Sequence, residues 1–350
     1  MSDWVVPPSL EPGDEVAVVS PGTSLAEKYP HVYELGLERL EERFGLVPVE
    51  FPTATADPEW LYDNPEARAR DVMDAFADPD IRGVVTTIGG YDQVRILKHL
   101  DPEVLAENPT RFYGISDNTN VEIVLWNEGV VSFYGGTLFT EFAMQGSMHD
   151  YTVEYLERAL FSDSLGELRP AERFTDEDLD WADPETLDER REMEPNPGWT
   201  WRGGDERVTG RTWGGCLSVV DQQLSVDRYV PDPDALDGAV LLLETSEELP
   251  SAMDVRWTMT AMGERGLLER FDAVLVGRAK ARSLDVERSP EERAAYRERQ
   301  RETVAEVVAE YNPDAPVVFD LDFGHTAPVA PVPVGGEVTV DPAEERIEFA

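Results

Sequence analysis

The order in which apolar runs and amphipathic segments alternate in the first half of the chain narrows the possible folds most. Residues 15–20, 45–49, 83–88, 112–115 and 130–134 read as short, largely apolar strands. Between the first two, Leu35, Leu37, Leu40 and Phe44 recur at helical spacing over 32–44. Residues 65–77 place Ala67, Val72, Met73 and Phe76 on one face, and further helices are predicted over 92–100 and 151–163. Strands of this length alternating with such helices predict a parallel sheet with helices on both faces, a flavodoxin- or Rossmann-like α/β domain. Ligands in such sheets bind beyond the carboxyl ends of the strands.

The pattern breaks after the helix at 151–163. Residues 166–206 are rich in acids, proline and tryptophan and show no period, so they read as a long inter-domain loop. Alternation resumes near Val208 with predicted strands at 239–243, 272–277 and 316–323 and helices at 252–266 and 291–311. Two short strands, 337–340 and 346–349, close the chain as a hairpin. The expected organisation is an N-terminal domain over 1–165, a linker over 166–206, and a C-terminal mixed α/β domain with a small sheet over 207–350.

Seventy-two acidic residues face 30 basic ones, a net charge of −42, and the acids are spread along the whole chain. Such a surface repels itself at low salt, whereas molar salt cuts the screening length to about 3 Å. We therefore expect adaptation to high intracellular salt, and no nucleic-acid partner, since no basic face is available for phosphates. No apolar run reaches membrane-spanning length, and the N-terminus lacks the regions of a signal peptide. The single cysteine, Cys216, excludes an internal disulfide and reads as a buried, inert thiol. Together these point to a cytoplasmic protein.

The chemistry-bearing candidates lie where predicted strands end. Ser116 follows 112–115 directly and precedes a helix that a Thr119–Glu122 capping box would open. A serine at that junction has an exposed hydroxyl beside helix N–H groups, as an acyl-transfer nucleophile requires. It also fits a plain turn or capping residue, and Asn118 stands where a G-x-S-x-G elbow would have its second glycine. Of the four histidines, His31, His99 and His149 lie in polar or helix-end segments, while His325 lies just past a strand, next to Gly324. Glu244 ends a wholly apolar strand, where a carboxylate needs a partner, with Glu247 and Glu248 as second choices. The Gly89-Gly90 turn offers N–H groups that could join that of Asp117 in an oxyanion hole. Neither a dinucleotide fingerprint nor a P-loop is present, and no metal site or cofactor is indicated.

These residues resemble the LD-carboxypeptidase family of serine peptidases. The matching pieces are Ser20-Pro21-Gly22, Ile88-Gly89-Gly90-Tyr91, Gly114-Ile115-Ser116-Asp117-Asn118-Thr119, Leu242-Leu243-Glu244, and Phe323-Gly324-His325-Thr326 leading to Pro333-Val334-Gly335. The resemblance implies a catalytic triad of Ser116, Glu244 and His325, an oxyanion hole at Gly90 and Asp117, an active site between two domains, and a homodimer. Phe174-Thr175-Asp176-Glu177 with Trp181, Trp199, and the 210–215 run resemble the microcin C immunity branch, which cleaves aminoacyl or peptidyl adenylate analogues. That branch implies that Phe174, Trp181 and Trp199 bind substrate by stacking on a nucleotide base; the bland alternative is that the tryptophans pin the linker. The other branch trims murein tetrapeptides across an L,D bond. A non-catalytic small-molecule binder on the same scaffold is the competing class.

Overall fold

The computed structural model describes residues 4–350. In the first half the predicted runs form β1 (Glu15–Val19), β2 (Val47–Glu50), β3 (Ile81–Thr86), β4 (Arg111–Gly114) and β5 (Ser132–Tyr134). They pair in parallel in the order β5-β4-β3-β1-β2, and a strand from far along the chain, Val332–Val334, closes the β5 edge antiparallel. Because β1 lies between β2 and β3, the strand order reverses there. A crevice therefore opens beyond the carboxyl ends of β1 and β3, where such sheets receive ligands. The helices are α1 (Pro30–Glu42), α2 (Pro58–Asp63), α3 (Pro65–Ala77), α4 (Pro102–Glu107), α5 (Thr119–Asn127) and α6 (Asp150–Phe161). The strands supply a dry core: Val16, Ala17, Val18 and Val19, with Val84 and Val85, are fully buried.

Two local expectations fail here. Residues 92–100 form two short 3-10 turns, Gln93–Arg95 and Leu97–His99, and no α-helix. Tertiary ties fix this geometry: the buried Gln93 donates its N–H to the Asp117 carboxylate and its side-chain amide to Asn118, at 2.8 Å each. The Thr119–Glu122 capping box is also absent. A 3-10 turn over Ser116–Asn118 runs straight into α5, Asn118 is the N-cap, and no side chain caps it. Glu122 is fully buried, and its carboxyl oxygens have no hydrogen-bond partner, so it faces the core. Burial pushes its carboxyl well above the usual range.

The second half forms an eight-stranded mixed sheet, larger than expected. Its strands are β6 (Gly166–Leu168), β9 (Thr200–Gly203), β10 (Val208–Cys216), β11 (Ala239–Glu244), β12 (Phe271–Gly277), β13 (Pro316–Leu321), β15 (Glu337–Asp341) and β16 (Arg346–Phe349). Strands β7 (Arg173–Phe174) and β8 (Glu194–Pro195) pair as a separate antiparallel ribbon, and β14 is the Val332–Val334 strand on the β5 edge. The order is β6-β16-β15-β10-β11-β12-β13-β9, with β10 through β13 parallel and the flanks antiparallel. Helices α7 (Leu217–Val226), α8 (Ala252–Glu264) and α9 (Pro290–Tyr311) belong to this half.

The chain divides into two compact units. One comprises the residues up to Ser164 with 179–191 and 330–335, and the other comprises 165–178, 192–329 and 336–350. The stretch 166–206, read as a loop, thus contributes to both units and carries four short strands and a 3-10 turn, Pro184–Asp188. The 210–215 run, likened to the immunity branch's insertion, lies inside β10, where Trp213 is fully buried against Phe271 as part of the core. No helix among the described residues is long and apolar enough to cross a membrane.

Candidate active site

In the first unit, Ser116 follows β4 after one residue and adopts φ 61°, a left-handed conformation that residues with a Cβ rarely take. Its flanking residues are buried while Ser116 is half-buried, so the turn lifts this one side chain out of the core. Three contacts hold it there. The Ser116 N–H donates to the Tyr134 hydroxyl at 3.1 Å. A Cβ on Gly89 would lie 2.7 Å from the Ser116 Cβ, so only glycine fits there. Asn118 donates to Ile88 O and Ile115 O and accepts from Gln93, stitching the turn to the neighbouring strand end. Asn118 therefore does by hydrogen bonding what a second elbow glycine does by being small.

The Gly89-Gly90 turn is itself fixed from β1. A Cβ on Gly22 would come within 2.2 Å of Gly89 O, and one on Gly90 within 3.0 Å of the Asp117 carboxylate. The fully buried Arg68 donates to Pro21 O and Gly22 O and pairs with Asp92 at 2.8 Å, clamping both turns. Neither the N–H of Gly90 nor that of Asp117 has an acceptor among the described residues. The Asp117 side chain is not a free helix-end charge: it accepts from the Gln93 N–H and the Asn120 amide. Burial pushes its carboxyl up to about 6, against the N–H of Gln93. Gly22 entered the sequence reading only as part of the Ser20-Pro21-Gly22 resemblance, and Arg68 and Tyr134 were not singled out, since their roles depend on partners distant in sequence.

In the second unit, β11 delivers Glu244 and the turn after β13 delivers His325. The Glu244 Oε2 accepts from His325 Nδ1 at 2.7 Å and from the His325 backbone N–H at 3.2 Å. Gly324, at φ 95°, makes that approach possible, since a Cβ there would lie 2.5 Å from Glu244 Oε2. Glu247, in the loop after β11, reaches the other ring nitrogen, with Oε2 3.3 Å from Nε2. Burial alone would lower the imidazole pKa, but the adjacent Glu244 charge and hydrogen bond, with Glu247, overcome this and raise it to about 9. Lys280 opposes them weakly and is itself paired with Asp178 at 2.7 Å.

The remaining histidines have other surroundings. His31 Nε2 lies 2.9 Å from Trp181 O, and His99 lies 3.5 Å from Glu66. Burial, with Arg191 and Arg190 nearby, lowers His149 to about 4. Cys216 is buried, and burial with the Glu244 charge raises its thiol well above the usual value. Asp320 and Asp322 pair with Arg301 and Arg278.

The three aromatic candidates fall in different places. Trp181 is half-buried in the first unit, edge-on to Tyr29 at 6.0 Å and 5.5 Å from Phe139. Trp199, half-buried in the second unit, donates its indole N–H to Asp322 at 3.2 Å. Phe174 is 5% exposed, and the guanidinium groups of Arg278 and Arg297 lie 4.2 and 4.9 Å from its ring centre. Its ring is already covered, so a base could stack on it only by displacing these cations.

Comparison with known proteins bears on the family. Residues 16–135 match the model of the LD-carboxypeptidase N-terminal domain, and residues 209–340 match that of the LD-carboxypeptidase C-terminal domain. The chain is 27% identical to a Bacillus subtilis protein named "Putative carboxypeptidase YocD", over 95% of this chain and 94% of that one. It is 24% identical to the Microcin C7 self-immunity protein MccF of Escherichia coli, over 78% and 75% of the respective chains. Among solved structures, an MccF-like protein from Streptococcus pneumoniae in complex with AMP superposes with a TM-score of 0.86 at 26% identity, covering 97% of this chain and 99% of that one.

Proposed function

The chain belongs to the LD-carboxypeptidase family of serine peptidases, and on that premise we propose that Ser116, His325 and Glu244 form its catalytic triad. In this reading Ser116 Oγ attacks the carbonyl carbon of the scissile amide while its proton passes to His325 Nε2. The N–H groups of Gly90 and Asp117 receive the oxyanion. The imidazolium then gives its proton to the departing amine, leaving an acyl-enzyme. Water, deprotonated by the same imidazole, attacks the ester and frees Ser116. Glu244 accepts from Nδ1–H throughout, fixing the tautomer that leaves Nε2 free to accept a proton.

The observation that carries the proposal is Ser116 itself: a residue with a side chain, held left-handed against an obligatory glycine, beside two N–H groups without acceptors among the described residues. Strained backbone of this kind persists where the surrounding structure demands it, most often at functional sites.

For substrate, we infer a small peptide or an aminoacyl- or peptidyl-nucleotide amide. MccF structures at 22% identity hold glutamyl sulfamoyl guanosine and aspartyl sulfamoyl adenosine, which supports the nucleotide option. Trp181 and Trp199 keep accessible surface and are the aromatic residues we assign to substrate, while Phe174 supports Arg278 and Arg297 from beneath. We further propose a cytoplasmic homodimer, which sedimentation at molar salt tests. The central test is labelling by a fluorophosphonate at high salt, with Ser116→Ala as control. It is paired with hydrolysis assays on peptides, a murein tetrapeptide and aminoacyl sulfamoyl adenosines. Binding of these compounds without labelling or turnover would replace the enzyme by a sequestering protein.

A further inference from the structure

His325 sits between two carboxylates. Glu244 holds Nδ1 at 2.7 Å and Glu247 lies 3.3 Å from Nε2, so both ring nitrogens face a carboxylate, an arrangement that favours the imidazolium form. Nε2 is the atom that must take the Ser116 proton in the proposed mechanism. Glu247 beside it favours a proton on that atom, and a protonated Nε2 has no lone pair to offer.

The two carboxylates differ in how they are held. The Glu244 side chain is buried and doubly hydrogen-bonded to His325. The Glu247 side chain is 59% exposed, and His325 is the partner the structure gives it. Its backbone is nevertheless anchored: Leu249, at φ 51° and buried, donates to Ser246 O at 3.2 Å, and the Glu248 N–H reaches the Ser246 hydroxyl. The loop thus aims Glu247 at the ring while leaving its carboxylate free to swing into solvent. Charges around the imidazole sum to one excess negative: Glu244 and Glu247 against one imidazolium, with Lys280 neutralised by Asp178.

We propose that Glu247 is a specificity-determining latch that blocks His325 Nε2 and is drawn off by a cationic group on the substrate. This rests on the triad reading above and adds the substrate class to it: peptides or aminoacyl amides carrying an ammonium or guanidinium near the scissile bond. A cation pairs with Glu247, the Nε2 proton, no longer held by that carboxylate, passes to solvent water, and Nε2 is left with the lone pair that receives the Ser116 proton. A neutral substrate must displace the carboxylate without that compensation, and an anionic one also meets like-charge repulsion.

The test compares kcat/KM for lysyl, leucyl and glutamyl sulfamoyl adenosines at one fixed high salt concentration, using the intact protein. The wild type should prefer the lysyl over the glutamyl compound by at least about tenfold. Glu247→Gln, which removes charge at an exposed position, should bring that ratio to within about threefold, and Glu247→Lys should invert it. Nitrogen-15 NMR of the His325 ring gives a readout independent of turnover: its titration midpoint should move to lower pH in Glu247→Gln. An unchanged ratio and an unmoved midpoint, in protein whose Ser116 still labels, would overturn the latch and leave the triad standing. Absence of both labelling and turnover in the wild type would overturn the two together.

Discussion

The left-handed backbone at Ser116 costs on the order of 1–3 kcal/mol, and that cost separates stability from activity at a single position. Ser116→Gly relieves the strain, so its melting temperature should not fall below that of the wild type, while turnover falls by roughly 10³-fold or more. Calorimetry and kinetics on the same sample check both halves; a variant that melts lower would remove the strain argument. At His325 the sign of the pH dependence follows from its pKa, raised to about 9. A base must be neutral, and at pH 7 only about 1% of such an imidazole is. The kcat/KM should therefore climb close to tenfold per pH unit until it levels off near 9. The imidazolium–Glu244 pair also contributes folding stability. Because the folded pKa is the higher one, that contribution is fully present below about 6.5 and is lost as pH rises through about 9. Urea midpoints of the wild type should fall across that window more than those of His325→Gln.

Elements set what the sequence could disclose. The alternation that makes the first sheet was legible because β1, β3, β4 and β5 are short, mostly buried runs bounded by turn residues, and Glu244 and His325 were visible as polar residues at the ends of such runs. Their 2.7 Å contact has its own local signature in Gly324. Gly324→Ala puts a methyl group against the Glu244 carboxylate and should cut kcat by about 10²-fold, which steady-state kinetics measures. What stayed hidden depends on partners distant in sequence. Residues 92–100 have helical spacing, yet bonds from Gln93 to Asp117 and Asn118 decide their geometry. The Thr119–Glu122 pair has the letters of a capping box, but the chain enters α5 through a 3-10 turn, which turns Glu122 into the core. Two capping boxes do form, at Ser251–Asp254 and Ser289–Glu292, where the helices start from solvent-exposed loops. The 210–215 run was seen only through its resemblance to the immunity branch, because its tryptophan and glycines do not by themselves announce a central strand. Only pairing of β10 with β11 and β15 does so.

Across the whole molecule, eight acidic side chains are buried among the described residues: Asp71, Asp117, Glu122, Glu141, Asp176, Glu244, Asp320 and Asp322. Nearly all of the −42 net charge therefore lies at the surface, where salt screens it. We expect the melting temperature to rise steeply between about 0.1 and 2 M potassium chloride, with folded structure lost on dialysis to low salt. A circular-dichroism melt that does not move with salt would contradict this. The return of Val332–Val334 to the first sheet bears on how the protein can be dissected. Neither unit is encoded by an uninterrupted stretch of gene. A fragment stopping at Ser164 would leave Ser132–Tyr134 as a naked apolar rim ready to zip onto its neighbours. Such a truncation should precipitate on expression, and a synthetic peptide spanning 330–335 is the piece that would keep it in solution.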